Sequence, residues 1–342
     1  MSQPAVTLPS PSEIVLQMAT GYWIGRALYV TTELGIPDLL ADGPKNCTGL
    51  AASTKTHPLA LYRVLRALAM VGVFVETGPR QFGLTPLSEV LRSDVPGSMR
   101  PMVLFQGDHL HAASYGEMRY SLETSRPAVE KAFGLSVFEF MRQNPEAGTL
   151  FNQAMTTHSQ MEAGAVLAGY DFGGIGTLVD VAGGMGGLLA AILEANPSMR
   201  GVLFDLPHVI AESRLHGEIK GALLPRVDFA AGDFFETVPG GGDAYLLKHI
   251  VHDWYDDKAG LILQNCRKVM GPQARLLLVE MVIPDGPQPH FGKMLDLEML
   301  VVAGGMERTE SEYRTLLTAA GLKLQRIVPT PGPISIVEGV PA

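Results

Sequence analysis

The side chains best suited to chemistry gather in "LLKHIVHDWYDD", Leu246 to Asp257, where an apolar run gives way to charge at His252. An imidazole there can exchange a proton near neutral pH, or it can cap a helix or sit hydrogen-bonded in a core. Neighbouring residues on a helix do not share a face, so the "HDW" spacing brings no two ligands together and no metal is expected. A second stretch, "LVDVAGGMGGLLAAIL", reads as strand, glycine turn and helix, a layout that lets backbone approach a ligand closely or serves as a plain tight turn. Counted from Gly184, the third position of a dinucleotide fingerprint falls on Leu189, so that match fails, and no Gly-Lys-Ser/Thr of a P-loop follows. Asp205 in "FDLP" could accept both hydroxyls of a ribose. Asp233 in "AGDFF" follows the next strand, with Phe234 beside it to stack on an adenine. Together with Asp180 these make three acids at three successive strand ends. Such a set suits a cationic nucleoside, and S-adenosylmethionine is one.

The elements that must position these groups are legible from their patterns. From "GTLVDVAGG" onward, short β-branched or leucine-rich runs alternate with helical ones: "TLVDVA", "GVLFDLP", "VDFAAGDFF", "DAYLLKHIVHDW" and "ARLLLVEMVIP". That alternation predicts a mainly parallel sheet with helices on both faces, which binds ligands at the carboxyl ends of its strands. The closing "LKLQRIVPTPGPISIVEGV" predicts a strand pair at the sheet edge. Residues 12 to about 110 read as helices with one hairpin. The first helix breaks at "GIPD", Thr48 is placed to cap a short helix, Thr56-His57-Pro58 opens another, and "VFVETGPRQFGLT" turns at Gly-Pro. Helix, helix, hairpin is a winged-helix order, read here as a packing or dimerisation module. The expected organisation is a winged-helix-like dimerisation domain over 1–110, a helical region over 111–170 and a catalytic domain over 171–342.

A chain of 342 residues with a net charge of −9 is long enough for two domains and lacks the cationic surplus that phosphate neutralisation needs. Nucleic acid is therefore disfavoured, as is a DNA-binding regulator that senses a nucleoside. No apolar run is long enough to cross a bilayer. "MSQPAVTLPSPSE" has no basic segment leading into an apolar one, so no secretory leader is expected. Cys47 and Cys266 form no ligand pattern and are read as reduced thiols of a cytoplasmic protein.

Six motifs in order, "LVDVAGGMGG", "FDLPHVI", "GDFF", "LKHIVHDW", "VEMVIP" and "GGMERTESEYRTLLTAAGL", resemble the class I S-adenosylmethionine-dependent O-methyltransferases. The closest type is the plant caffeic-acid and bacterial natural-product group, which includes hydroxyindole O-methyltransferase. The likeness covers nearly the whole chain and implies a homodimer acting on a small aromatic or polyketide-like acceptor. It assigns Ala182, Gly183, Gly184 and Gly186 to the methionine end of the cofactor, and Asp205 with its neighbour Leu206 to the ribose. Asp233 and Phe234 fall to the adenine, and Lys248 to the cofactor side. It makes His252 the catalytic base, flanked by Glu280 and Glu307, and places Met155 and Met299 around the acceptor; Asn152 and His158 are further candidates for that pocket, which no motif or spacing demands. Two departures stand out. Ala182 replaces a glycine, which requires a negative φ there, and His249 stands where plant members often carry tryptophan. Relatives that use the cofactor for hydroxylation, decarboxylation or pericyclic chemistry leave a non-methylating alternative.

Overall fold

The structure, a computed structural model, describes residues 9–342, so the leader reading of the first eight residues lies outside it. Two compact units meet in sequence at His109 and Leu110. In the first, the helix Pro11–Glu33 opens on a capping box, Ser10 Oγ accepting from the Glu13 amide. It stops at Gly35 (φ 68°), where the "GIPD" turn was expected. The short helix Cys47–Thr54 is capped by Asn46, whose side chain accepts from the Gly49 amide at 2.8 Å. Thr48, the expected cap, lies inside the first turn. Asn46 has the extended backbone that lets a cap reach back to the exposed amides, and Thr48 is already helical. After the helix Pro58–Met70 comes the hairpin, and the strands β1 (Lys45–Asn46), β2 (Phe74–Gly78) and β3 (Gln81–Leu84) form a sheet in the order β1-β3-β2. Ile36, Leu50, Leu65, Leu68, Phe74 and Phe82 fill the core of this unit. One apolar set stays uncovered: Val15, Leu16, Met18, Tyr22 and Trp23 of the first helix are between 63 and 76 % exposed.

The second unit begins with short helices and the long helix Pro145–Gly169. Seven strands follow: β4 (Thr177–Val181), β5 (Arg200–Asp205), β6 (Val227–Ala231), β7 (Ala244–Lys248), β8 (Arg275–Glu280), β9 (Leu322–Pro329) and β10 (Ser335–Pro341). Their order is β6-β5-β4-β7-β8-β10-β9. The first five are parallel, and β10 runs antiparallel to both β8 and β9. Alternate strand residues enter two separate cores. Leu178, Leu203, Leu246 and Leu277 pack on one face with the helix Gly187–Ala195. Val179, Tyr245, Leu247 and Leu278 pack on the other with the helices Asp256–Val269 and Glu310–Ala319. Burial on both faces is why these strands read as unbroken apolar runs. The expected α/β fold is present, with the last two strands closing one edge. Strand order reverses beside β4, so the crevice between the ends of β4 and β7 is where a ligand belongs. Among the described residues no helix is long and apolar enough to cross a membrane.

Candidate active site

The turn after β4 carries three left-handed residues, Ala182 (φ 58°), Gly184 (φ 58°) and Gly186 (φ 79°). The negative φ expected at Ala182 is therefore corrected. Its amide donates to the Phe204 carbonyl at 2.7 Å, and that bond holds a conformation costing an ordinary residue about 1–2 kcal/mol. Gly183 cannot be replaced at all cheaply, because a Cβ there would lie 2.5 Å from both Asp180 Oδ2 and a Leu203 methyl. Asp205, at the end of β5, accepts from the Gly184 amide (2.9 Å) and the Leu206 amide (2.7 Å). It thereby ties the turn to the start of the next helix, and each oxygen keeps a lone pair for a further donor. Burial raises the Asp205 pKa against the pull of those two amides. Asp233 lies two residues beyond β6 and accepts from the Phe235 amide at 2.8 Å. The Phe234 ring stands edge-on to Phe235 and to Trp254. At the far side, burial pushes Asp180 up to about 7, opposed by the Lys248 ammonium. A crowded glycine turn, a ribose-type acid and flanking aromatics fit an adenosyl group with no diphosphate.

His252 lies in a single helical turn, Val251–Asp253, just past β7, and Glu280 is the last residue of β8. Because β7 and β8 are paired in parallel, with Lys248 opposite Val279, both groups emerge at the same sheet end. Glu307 arrives from the far side. The Met306 amide donates to the His252 carbonyl at 2.8 Å, an approach possible because Gly305 has no Cβ; one would fall on that same carbonyl oxygen. His252 Nδ1 then stands 2.6 Å from Glu307 Oε1 and 3.7 Å from Glu280 Oε2, while Nε2 is 3.5 Å from Asp253 Oδ1. Glu280 is anchored through its other oxygen by the Ile250 and Val251 amides (3.2 and 2.9 Å). Burial alone would lower the His252 pKa, but Glu280, Asp253 and Glu307 outweigh it and hold the imidazole at about 10. Burial would likewise raise Glu280, yet His252 and His249 keep it below the usual carboxylate range. Glu280 Oε2 and Glu307 Oε2 are buried with no hydrogen-bond partner among the described residues. The two carboxylates of the expected set are thus joined by a third, Asp253, whose own pKa burial raises to about 6.

Next to this group is one that sequence reading missed. Glu162, on the long helix, is 6 % exposed and accepts from His249 Nε2 at 3.0 Å. It also lies 3.4 Å from Lys248 Nζ and 3.3 Å from His158 Nε2. Burial opposes its charge, but His249, Lys248 and His158 bring its pKa to about 2. The His158 and His249 rings stack with centroids 5.1 Å apart, and burial lowers His158 to about 4. His249 holds a left-handed backbone (φ 52°), which the paired contacts to Glu162 help sustain. Its ring is buried beside the dyad, with Nδ1 3.7 Å from Glu280 Oε2. His158, Glu162 and His249 lie close enough to hold a metal, as do His249, His252 and Glu280. In the first set the Lys248 ammonium already supplies the cation. The one sequence signal for Glu162 was its position four residues after His158, one helical turn away.

The remaining expected residues are spread over two elements. Asn152 and Met155 are half-buried on the long helix, at spacings that share a face with Glu162. Met299 is buried and opens a π-helical turn, Met299–Ala303. Such turns insert one residue into a helix, and they recur at functional sites. Just before it, Glu298 accepts from Tyr115 Oη at 2.8 Å and lies 3.0 Å from His111 Nε2.

The chain belongs to the O-methyltransferase family: it matches the O-methyltransferase domain over residues 115–323 and the O-methyltransferase dimerisation domain over 16–94. It is an S-adenosylmethionine-dependent O-methyltransferase. It is 44 % identical over 330 residues to a phenazine O-methyltransferase of Lysobacter antibioticus, covering 96 % of each chain. A mitomycin-biosynthesis 6-O-methyltransferase of Streptomyces lavendulae is 40 % identical over 328 residues, 95 % of this chain and 93 % of that one. The structure of a calicheamicin-biosynthesis methyltransferase with S-adenosylhomocysteine bound superposes with a TM-score of 0.85 at 36 % identity, covering 97 % of this chain and 98 % of that one.

Proposed function

We propose that this enzyme methylates a phenolic hydroxyl of a small polycyclic or quinone-like aromatic metabolite, with His252 as general base. The observation that carries the reading is the buried His252–Glu307 pair at 2.6 Å, with Glu280 held at 3.7 Å on the same nitrogen. The names of the phenazine and mitomycin relatives supply the acceptor class. S-adenosylmethionine, when bound, supplies an electrophilic methyl group on a sulfonium. Asp205, the 182–186 turn, Asp233, Phe234 and Lys248 would hold it. Once His252 has lost its second proton, Glu307 accepts a hydrogen bond from Nδ1–H, which leaves Nε2 with its lone pair for the acceptor hydroxyl. A phenol titrates near ~10, so an ordinary imidazole near ~6.5 would take its proton uphill by roughly 5 kcal/mol. Three carboxylates remove that mismatch by raising His252 to about 10. The same carboxylates keep the imidazole protonated at neutral pH in the free protein. An amine acceptor offers a lone pair without prior deprotonation, so the elaborate base favours a hydroxyl.

The helical region over 111–170 contributes Asn152, Met155 and His158 to the acceptor side, with Met299 opposite. Residues 1–110 form the dimerisation domain of a homodimer, supported by the exposed face of Val15, Leu16, Met18, Tyr22 and Trp23. A monomer by light scattering at micromolar concentration would refute this assembly. Two buried free cysteines and a net charge of −9 accord with a cytoplasmic enzyme that acts on small molecules and not on nucleic acid or membranes. The test of the central reading is His252→Ala. Turnover of a neutral phenol should fall roughly 10²–10⁴-fold, with S-adenosylhomocysteine affinity by calorimetry nearly unchanged. An acceptor already ionised should lose much less. Near-normal turnover on the neutral phenol would make His252 structural, and product without S-adenosylhomocysteine would indicate a non-methylating reaction.

A further inference from the structure

Arg308 has no exposed surface, yet it sits among groups that have nothing to do with surface charge. Its five N–H donors are all engaged. Nη1 donates to the carbonyls of Val251 (3.0 Å) and Met306 (3.3 Å). Nη2 donates to the Trp254 carbonyl (2.8 Å) and to Asp256 Oδ1 (2.8 Å), and Nε donates to the same Asp256 oxygen at 3.1 Å. Its own carbonyl accepts from the Ile283 amide at 3.0 Å. The pattern has one common feature. Val251 immediately precedes His252, Met306 immediately precedes Glu307, and Ile283 lies three residues beyond Glu280. The one residue therefore bonds to all three segments that carry the imidazole and its two carboxylates.

We infer that Arg308 is the positioning residue that sets the His252–Glu307 distance and the nitrogen His252 presents to the acceptor. This rests on the reading of His252 as base. The alternative, an ordinary buried ion pair, fits poorly. Asp256 is 69 % exposed, and an ion pair at such a rim contributes little. What is invested in burial is the set of three carbonyl contacts, which fix backbone on two separate segments. Lysine cannot replace the guanidinium here. It offers three donors on one nitrogen and cannot bridge carbonyls that approach from different sides of a planar fork. Removing one contact also strands a buried carbonyl beside the dyad.

The test uses Arg308→Lys and Arg308→Gly in the full-length protein, with the circular dichroism spectrum and calorimetric S-adenosylhomocysteine affinity as controls for folding. Misalignment on the ångström scale predicts a fall in kcat of roughly 10–100-fold on a neutral phenol. An acceptor whose hydroxyl is already ionised should lose no more than about threefold, because it does not use the base. Millimolar guanidinium should restore Arg308→Gly on the neutral phenol, and methylammonium should not. A readout independent of turnover is the downfield proton NMR signal of the short Nδ1–H···Glu307 bond. It should be present in the native enzyme, absent in His252→Ala, and lost or shifted in Arg308→Lys. Equal losses on ionised and neutral acceptors, or an unchanged signal in Arg308→Lys, would overturn the inference and leave Arg308 as scaffold. If His252→Ala turns over normally while Arg308→Lys still loses the signal, the base assignment fails and the positioning role stands.

Discussion

Glu307→Gln isolates the electrostatic part of the dyad, because the amide keeps the shape and still offers an oxygen to His252 Nδ1. The native contact is 2.6 Å long and joins buried partners. A hydrogen bond to a charged group contributes about 1.5–3 kcal/mol and a neutral one about 0.5–1.5, so the substitution removes about 1–2 kcal/mol of preference for the imidazolium. That is roughly one pKa unit. Glu280 and Asp253 remain, so His252 should move from about 10 to roughly 9 and not return to its free value. The assay is the pH dependence of kcat/KM on a neutral phenol, which reports the free enzyme. Activity rises with pH as the imidazole loses its proton, and in the variant that rise should occur about one unit lower. On the alkaline plateau the variant should be slower, since its base is weaker and less firmly oriented. The deficit should narrow by about tenfold near neutral pH, where the variant holds roughly ten times more of the unprotonated form. A limb that stays in place, or moves upward, would show that Glu307 does not hold the proton on His252.

Asp205→Ala should weaken S-adenosylhomocysteine binding by roughly 30-fold or more, as about 2 kcal/mol follows from removing the acceptor of two ribose hydroxyls and of the Gly184 and Leu206 amides. Calorimetry decides it, and an unchanged dissociation constant would remove Asp205 from the cofactor site. Ala182→Gly should stabilise the protein by up to about 1 kcal/mol, because glycine relieves the left-handed strain but loses more chain entropy on folding. A denaturation midpoint lower than native would contradict the +58° backbone at that residue.

Much of the fold could be read locally. Strands β4, β7 and β8 are buried on both faces, so each appears as a continuous apolar run bounded by glycine or charge, and their alternation with helices dictates a parallel sheet. The acids at the strand ends were visible for the same reason: where the apolar run stops, the sheet stops, and ligand groups begin. His252, Glu280 and Glu307 were found only because their motifs came in order, since spacing alone could not bring Glu307 back to within 2.6 Å of His252.

Other features were decided by tertiary structure alone. Residue type argued for a negative φ at Ala182, but the hydrogen bond its N–H donates to the Phe204 carbonyl on the neighbouring strand accompanies a left-handed turn there. Glu162 looks like any polar residue on a long helix. It becomes part of the site because the fold sets it against Lys248 and His249, 86 and 87 positions along the chain. Arg308 reads as a charged residue near a helix start, and becomes the hub of the dyad because carbonyls 57 and 54 residues away converge on it. Local sequence encodes propensity and period, which determine elements and their order. Partners of a buried charge are determined by which chain ends meet at the end of the sheet, and only the assembled fold sets that.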